Sequence, residues 1–111
     1  MKLQCNWNGK MTFTAQADQH KVEMDTKAPI GSDTAMTPKQ LLLAGICGCT
    51  SMDVVAFLKK HRQPLETFHI EADASSTEGK YPVVFKEIHL TFKLKGQMDS
   101  SKVLESVELS Q

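Results

Sequence analysis

The chain has 111 residues, of which 41% are hydrophobic and 23% are charged. Its 13 basic and 13 acidic side chains cancel at pH 7 and are scattered, so nothing in the charge pattern predicts a nucleic-acid partner. The length predicts a single domain, residues 1–111, with a core of modest size. The first residues lack an apolar signal region, and there is only one long apolar run. We therefore expect a cytoplasmic protein that neither is secreted nor spans a membrane.

Three short antiparallel strands are predicted at the N-terminus, because apolar and polar residues alternate there. The predicted strands cover residues 3–7, 11–16 and 21–24. Asn8 and Gly9 are typical of a tight hairpin turn, and residues 18–20 form a second turn. Residues 26–36 contain Pro, Gly, Ser and Asp without a period, which predicts a loop. Whether this loop lines a pocket or only connects two elements stays open.

The longest apolar segment, residues 37–61, predicts a central helix. Thr37 is a favoured N-cap residue, Pro38 suits the first helical position, and cations lie at the C-terminal end. Apolar residues occupy most of the circumference, which predicts a core helix of a soluble protein, buried on most sides. Gly45 and Gly48 share a face and leave two interpretations open: the close approach of another element, or a break that starts a second helix.

Two further antiparallel strands are predicted after the helix. Alternation runs from Phe68 to Ser75 and again from Ile88 to Lys95, and it slips near Phe85 and Lys86, which predicts a β-bulge. Between the strands, Glu78-Gly79-Lys80 with Pro82 predicts a turn.

A final helix is predicted after Gly96, which ends the last strand. Asp99 or Ser100 is a suitable cap, and an apolar face follows, made of Val103, Leu104 and Val107. The chain stops soon after this helix, and we expect a curtailed C-terminus.

The three cysteines, Cys5, Cys47 and Cys49, are odd in number and irregularly spaced, which predicts no disulfide framework and fits a reducing compartment. Cys47 and Cys49 point about 200° apart on a helix, so they predict neither a metal site nor a disulfide while the helix is intact. We expect neither a metal nor an organic cofactor.

Cys49 is the candidate reactive residue, because small or polar residues flank it and a substrate could approach. Most buried cysteines are inert packing residues. We expect Cys47, on the helix, and Cys5, on the first strand, to be packing residues of this kind. A reactive thiolate needs a cation or hydrogen-bond donor, whereas Asp53, one turn after Cys49, disfavours it. The local sequence alone therefore does not activate Cys49.

The four histidines fall in a turn, at the helix end and at outward strand positions, where solvation is more common than catalysis. The spacing indicates no Cys-His pair. The four histidines are His20, His61, His69 and His89.

The pattern P-x-x-LLLA-x-x-x-G-C-T-x-MDV at residues 38–54 resembles the OsmC/Ohr superfamily, most closely its OsmC-like branch. The similarity extends to NWNGKMTF before the pattern and to FHIEADA and VVFKEIHLTFKLKG after it. It implies an α/β (α+β) OsmC-like fold with N-terminal antiparallel strands, a long central helix, further antiparallel strands and a C-terminal helix. It also implies an intertwined homodimer with active sites between the subunits.

The resemblance further implies a redox protein of the oxidative-stress response. In the catalytic members a peroxidatic cysteine attacks an organic hydroperoxide or hydrogen peroxide, becomes a sulfenic acid and condenses with a cysteine near the C-terminus. Cys49 matches the peroxidatic position. The expected partners are a second copy of the chain, a peroxide substrate and an external thiol reductant, without nucleic acid or membrane.

Three departures from the family pattern favour an alternative function. Lys39 stands where catalytic members carry a glutamate, and the only arginine, Arg62, lies at the far end of the helix rather than in the N-terminal sheet. The resolving cysteine would lie beyond Gln111. The alternative is a non-catalytic OsmC-like structural or binding protein in which Cys49 is a packed relic.

Overall fold

The computed structural model describes residues 1–76 and 85–111. The elements, in chain order, are β1 (Gln4–Trp7), β2 (Phe13–Ala17), β3 (His20–Met24), α1 (Pro38–Lys60), β4 (Leu65–Ser76), β5 (Phe85–Gly96) and α2 (Ser100–Leu109). This α+β order of N-terminal antiparallel strands, a long helix, a strand hairpin and a C-terminal helix confirms the predicted element types. The turn predicted at Glu78-Gly79-Lys80 and Pro82 lies outside the described residues. Contacts define two compact units, Met1–Leu42 and Leu43–Gln111.

The first unit contains an antiparallel sheet in the order β1-β2-β3. Cys5 lies opposite Ala15, which lies opposite Val22, so these three side chains share one face. The loop between β1 and β2 is longer than the predicted tight turn: Asn8 N–H donates to the carbonyl of Thr12, and β2 begins two residues later than expected. The alternation pattern located the strands but not the hydrogen bonds that close the loop.

The loop between β3 and α1 is organised around the buried carboxylate of Asp25. The backbone N–H groups of Thr26, Ser32 and Thr34 donate to it, and so does the Thr34 hydroxyl, at 2.7 Å. These bonds, the Thr34 hydroxyl first, lower the pKa of Asp25 from 3.8 to about 2. A side chain at Gly31 would collide with Asp25 and Thr26, so a glycine is needed there.

Helix α1 begins where the sequence predicts, because its cap is local. The Thr37 hydroxyl accepts from the N–H of Gln40, and the Gln40 side chain accepts from the N–H of Thr37. This reciprocal pair is a capping box. The helix continues unbroken through Gly45 and Gly48, which settles one of the two open interpretations of these glycines.

The prediction that α1 is buried on most sides is wrong for the single chain. Among the residues of α1 only Thr50, Val54 and Leu58 are buried, and they lie on one side. Judged by length and composition alone, α1 is also apolar and long enough to cross a membrane, a test that core helices of soluble proteins pass too. Apolarity therefore does not reveal which sides of this helix its own chain covers.

The second unit contains the antiparallel pair β4-β5. Side chains alternate along both strands between a half-buried apolar face and an exposed polar face, and Phe68 lies against Phe92 with ring centroids 6.3 Å apart. The pairing skips Lys86, because Ser75 pairs with Glu87 and Ser76 with Phe85. The register shift confirms the predicted bulge.

Helix α2 is capped by Asp99, whose carboxylate accepts from the N–H of Ser101. Asp99 N–H in turn donates to the side chain of Gln63, just after α1, at 2.7 Å. Gly96, which ends β5, has φ +155°, and a side chain there would collide with the Pro64 carbonyl. The predicted end of β5 and the predicted cap are both confirmed.

Candidate functional site

The candidate site is the middle of α1, where Cys49 is an exposed free thiol. At about 100° per residue, the exposed residues of α1 cover roughly half of the circumference, opposite Val54. Met52 is 74% exposed and Leu42 58% exposed, so the thiol lies on a surface of apolar side chains. Such a surface is unusual for a monomer and indicates that something binds there.

The exposed half of α1 has two parts, which we name by their residues. The glycine side consists of the exposed Gly45, Met52 and Val55 and of Gly48, which is half-buried between them. The thiol side lies about 90° further round the helix and consists of Leu42, Cys49, Asp53 and Ala56.

The glycine side is open. Apart from the adjacent residues and the backbone of α1 itself, no heavy atom of residues 1–76 and 85–111 lies within 4 Å of the position that a Cβ would take at Gly45 or Gly48. Contacts within the described part of the chain therefore do not explain these two glycines, each of which costs about 1 kcal/mol of helix stability relative to alanine.

The other two cysteines occupy different surroundings. Cys47 is half-buried on the side of α1 that faces away from Cys49, which fits the predicted packing role. Cys5 is exposed, so the expectation that it packs in a core is wrong for the single chain. Strand alternation assigns Cys5 to the apolar face of the sheet, but it does not tell whether anything covers that face.

The two cations considered at the sequence level lie far from Cys49 along the chain. Lys39 is in the first turn of α1, ten residues away, which is roughly 15 Å of helix rise. Arg62 follows the end of α1, exposed and with φ +56°. The nearest charged side chain on α1 is the exposed Asp53, one turn after Cys49.

The histidines at the outward strand positions pair with carboxylates. His69 lies 3.0 Å from Glu71, and His89 lies 2.8 Å from Glu87, all four side chains being well exposed. The hydrogen bond from His69, followed by the charge of Lys93, lowers the pKa of Glu71. At the end of α1, His61 stacks on Phe57 with centroids 4.3 Å apart. These contacts fit a solvated sheet face and a helix end, as predicted.

Among the described residues of the second unit lie open cavities that the sequence alone did not indicate. One, of about 470 Å³, is lined by Ile46 and Thr50 of α1, by Ile88 and Leu90 of β5, and by the end of the chain. The other, of about 390 Å³, lies between β5 and α2 and is lined by apolar residues that include Phe92 and Leu104. Neither is lined by a cysteine. Within residues 1–76 and 85–111, no cluster of three His, Cys, Asp or Glu side chains could hold a metal ion.

The chain resembles known proteins both in its sequence motif and in its fold. Residues 31–111 match the family model described as OsmC-like protein. Protein YhfA of Escherichia coli K12 is 29% identical over 112 residues, covering 99% of this chain and 81% of the relative.

Solved structures give the same picture of the fold. A hypothetical protein from Aquifex aeolicus superposes with a TM-score of 0.84 at 24% identity, covering 98% of this chain and 76% of that one. An OsmC like protein from Mycoplasma pneumoniae superposes with a TM-score of 0.85 at 14% identity, covering 98% and 78%. With the family match over residues 31–111, these likenesses lead to one conclusion: the chain belongs to the OsmC-like protein family.

Proposed function

We propose that this protein is a thiol-dependent peroxidase of oxidative-stress defence, in which Cys49 reduces organic hydroperoxides or hydrogen peroxide. The observation that carries the proposal is the position of Cys49: the cysteine of the family motif is an exposed thiol in mid-helix, among exposed apolar side chains. An apolar surrounding favours an organic hydroperoxide, because its alkyl or aryl part gains from leaving water.

The chemistry needs only the thiol and the peroxide. The Cys49 thiolate attacks the terminal oxygen of the hydroperoxide; a sulfur–oxygen bond forms, the O–O bond breaks, and the departing alkoxide takes a proton and leaves as an alcohol. The sulfur loses two electrons and becomes a sulfenic acid. An external thiol reductant supplies the two electrons that restore it, and no metal or organic cofactor takes part.

The active form is a homodimer that acts in the cytoplasm, without nucleic acid or membrane. Its formation is supported by the glycine side of α1, where Gly45 and Gly48 leave room for a second helix to approach closely. Burial of Met52 and Val55, 74% and 40% exposed in the single chain, supplies the hydrophobic driving force. A second copy carries the same glycines at the same place, so a two-fold axis would bring the two glycine sides against each other.

Peroxide consumption tests the proposal. With cumene hydroperoxide and dithiothreitol, the wild-type chain is expected to consume peroxide, and Cys49→Ser to fall to the rate of dithiothreitol alone. Cys47→Ser is the matched control, because it removes a half-buried thiol two residues away on the same helix. Consumption that survives Cys49→Ser would contradict the proposal.

A second candidate function is a non-catalytic OsmC-like binding or structural protein. It is favoured by the charges near Cys49: the nearest on the helix is the carboxylate of Asp53, and the only arginine lies beyond the end of α1. In this case Cys49 packs in the dimer as an inert residue. A Cys49 thiol that resists maleimide in the folded protein but reacts in urea, with no peroxide consumption, would establish this function instead.

A further inference from the structure

One charged side chain lies beside Cys49 on the thiol side of α1. The charged residues of α1 are Lys39, Asp53, Lys59 and Lys60. Of these, only Asp53 lies within two turns of Cys49. At positions i and i+4 the two residues are neighbours, with Cβ atoms about 6 Å apart, and both are exposed. Within residues 1–76 and 85–111, the Asp53 carboxylate makes no hydrogen bond and no ion pair, so no cation of these residues neutralises it by contact.

The lysines of α1 are too far from Cys49 to cancel this charge. Lys60 points in nearly the same direction as Asp53, but it lies eleven residues from Cys49, which is about 16 Å of helix rise. Lys39 and Lys59 are each ten residues away, or about 15 Å. The interaction between two charges in water falls with distance, and salt screens it further over a Debye length of about 8 Å at physiological ionic strength. Among the side chains of α1, Asp53 therefore dominates the electrostatic potential at the Cys49 sulfur.

The proposed reaction cycle brings a second anion to the same place. A thiol reduces the Cys49 sulfenic acid in its thiolate form, whose sulfur attacks the Cys49 sulfur. A sulfur–sulfur bond forms, the sulfur–oxygen bond breaks, and hydroxide takes a proton and leaves as water. A second thiolate then attacks the reductant's sulfur in this mixed disulfide, which releases the Cys49 thiolate to take up a proton. The two thiols leave as a disulfide and have supplied the two electrons.

The neighbouring thiol of α1 cannot take the place of the external reductant. The Cys47 side chain points about 200° away from that of Cys49, so the two sulfurs cannot bond without unwinding the helix, which is unbroken. The proposed dimer uses the glycine side of α1 and leaves the thiol side open to a small molecule. An external thiolate that reaches the Cys49 sulfur on this side therefore comes close to the carboxylate of Asp53.

We propose that Asp53 selects the reductant of Cys49 by charge and favours a thiol that carries no negative charge besides its own thiolate. The inference rests on the proposed function, because it requires a sulfenic acid formed by hydroperoxide. A thiol with a carboxylate arrives with two negative charges, a neutral thiol with one, and a thiol with an ammonium group with no net charge. At about 6 Å in water, each unit of charge changes the rate roughly two- to threefold. The preferred reductant is a cationic or neutral small thiol.

The test uses the full chain with Cys5→Ser and Cys47→Ser, in which Cys49 is the only thiol. One equivalent of cumene hydroperoxide oxidises it in low-salt buffer, and the loss of dimedone-reactive sulfenic acid is timed with cysteamine, mercaptoethanol and mercaptopropionate. Asp53→Asn is expected to lower the ratio of the cysteamine rate to the mercaptopropionate rate about fivefold, and Asp53→Lys to lower it about fivefold more. Intrinsic differences between the thiols cancel, because the same ratio is compared between variants.

Lys60→Gln is the matched control, because it removes a charge that points the same way as Asp53 but lies about 16 Å along the helix from Cys49. It should change the ratio less than twofold. In about 1 M salt, where the Debye length is about 3 Å, the ratios with and without the Asp53 carboxylate should converge. A ratio that neither Asp53 variant changes, or that Lys60→Gln changes as much, would overturn the inference.

The failures of this inference and of the proposed function are distinguishable. If the sulfenic acid forms but its reduction does not depend on Asp53, the inference is overturned and the peroxidase proposal stands. If Cys49 does not react with peroxide, the peroxidase proposal fails, and charge selection is tested alone on Cys49 converted to its mixed disulfide with pyridinethiol. Each thiol then releases pyridinethione at a rate that absorbance follows. The same fivefold change of the ratio in Asp53→Asn supports charge selection, and an unchanged ratio overturns it.

Discussion

The two sides of α1 are similarly apolar but differ in what covers them. Val54 and Leu58 are completely buried by their own chain, whereas Met52 and Leu42, on the opposite half, are mostly exposed. Gly45 and the half-buried Gly48 lie towards the exposed half, where the described residues leave open space for a side chain. One side of the helix therefore stabilises the fold of the single chain, and the other is the side that the proposed dimer and the proposed peroxide chemistry would use.

The largest expected effect is on the buried side. Leu58→Ala removes a fully buried side chain, and we expect a loss of about 2–5 kcal/mol in the free energy of unfolding. Urea titration followed by circular dichroism measures it. Met52→Ala is the matched control on the exposed side, and its effect should depend on protein concentration, because it acts through association. Equal, concentration-independent losses for the two variants would remove the distinction between the sides.

The next effect is on the glycine side. Gly45→Leu places a large side chain where the single chain leaves open space, so helix content should be retained while the dimer weakens at least tenfold, or about 1.4 kcal/mol. Sedimentation velocity across a concentration series measures the dissociation constant. Lys60→Leu, at the exposed C-terminal end of α1, is the control for added apolar surface. A Gly45→Leu dimer as stable as wild type would show that the glycines serve another purpose.

A smaller effect on stability is expected at Asp25, whose hydrogen-bond partners all lie in its own chain. The pKa of this carboxyl is lowered to about 2 in the folded state, so its stabilisation is present in full above pH 3.8 and is lost as the pH falls towards 2. Asp25→Asn should therefore be less stable than wild type at pH 7, and the difference should shrink below pH 3.8. Thermal unfolding at a series of pH values measures it. A constant difference from pH 7 to pH 2 would contradict the assignment of stability to the charge.

The parts of the fold that depend on local chemistry could be predicted from the sequence. The capping box of Thr37 and Gln40 and the slipped alternation at Lys86 both involve residues close together in the chain. The Asp25 cluster could not be predicted, because its donors lie up to nine residues ahead in a loop without periodicity. For Cys5 and the exposed half of α1, a pattern can tell that a face is apolar, but not which molecule covers it.

In the proposed function, the exposed side of α1 makes Cys49 a peroxide-reactive thiol. The most direct measurement is the second-order rate constant of Cys49 sulfenic-acid formation with cumene hydroperoxide, in a Cys5→Ser, Cys47→Ser chain, folded and then unfolded in urea. We expect a rate at least a hundredfold higher in the folded protein, because only the fold provides an apolar surface that holds the organic part of the substrate next to the sulfur. A folded rate equal to or below that of the unfolded thiol would contradict it.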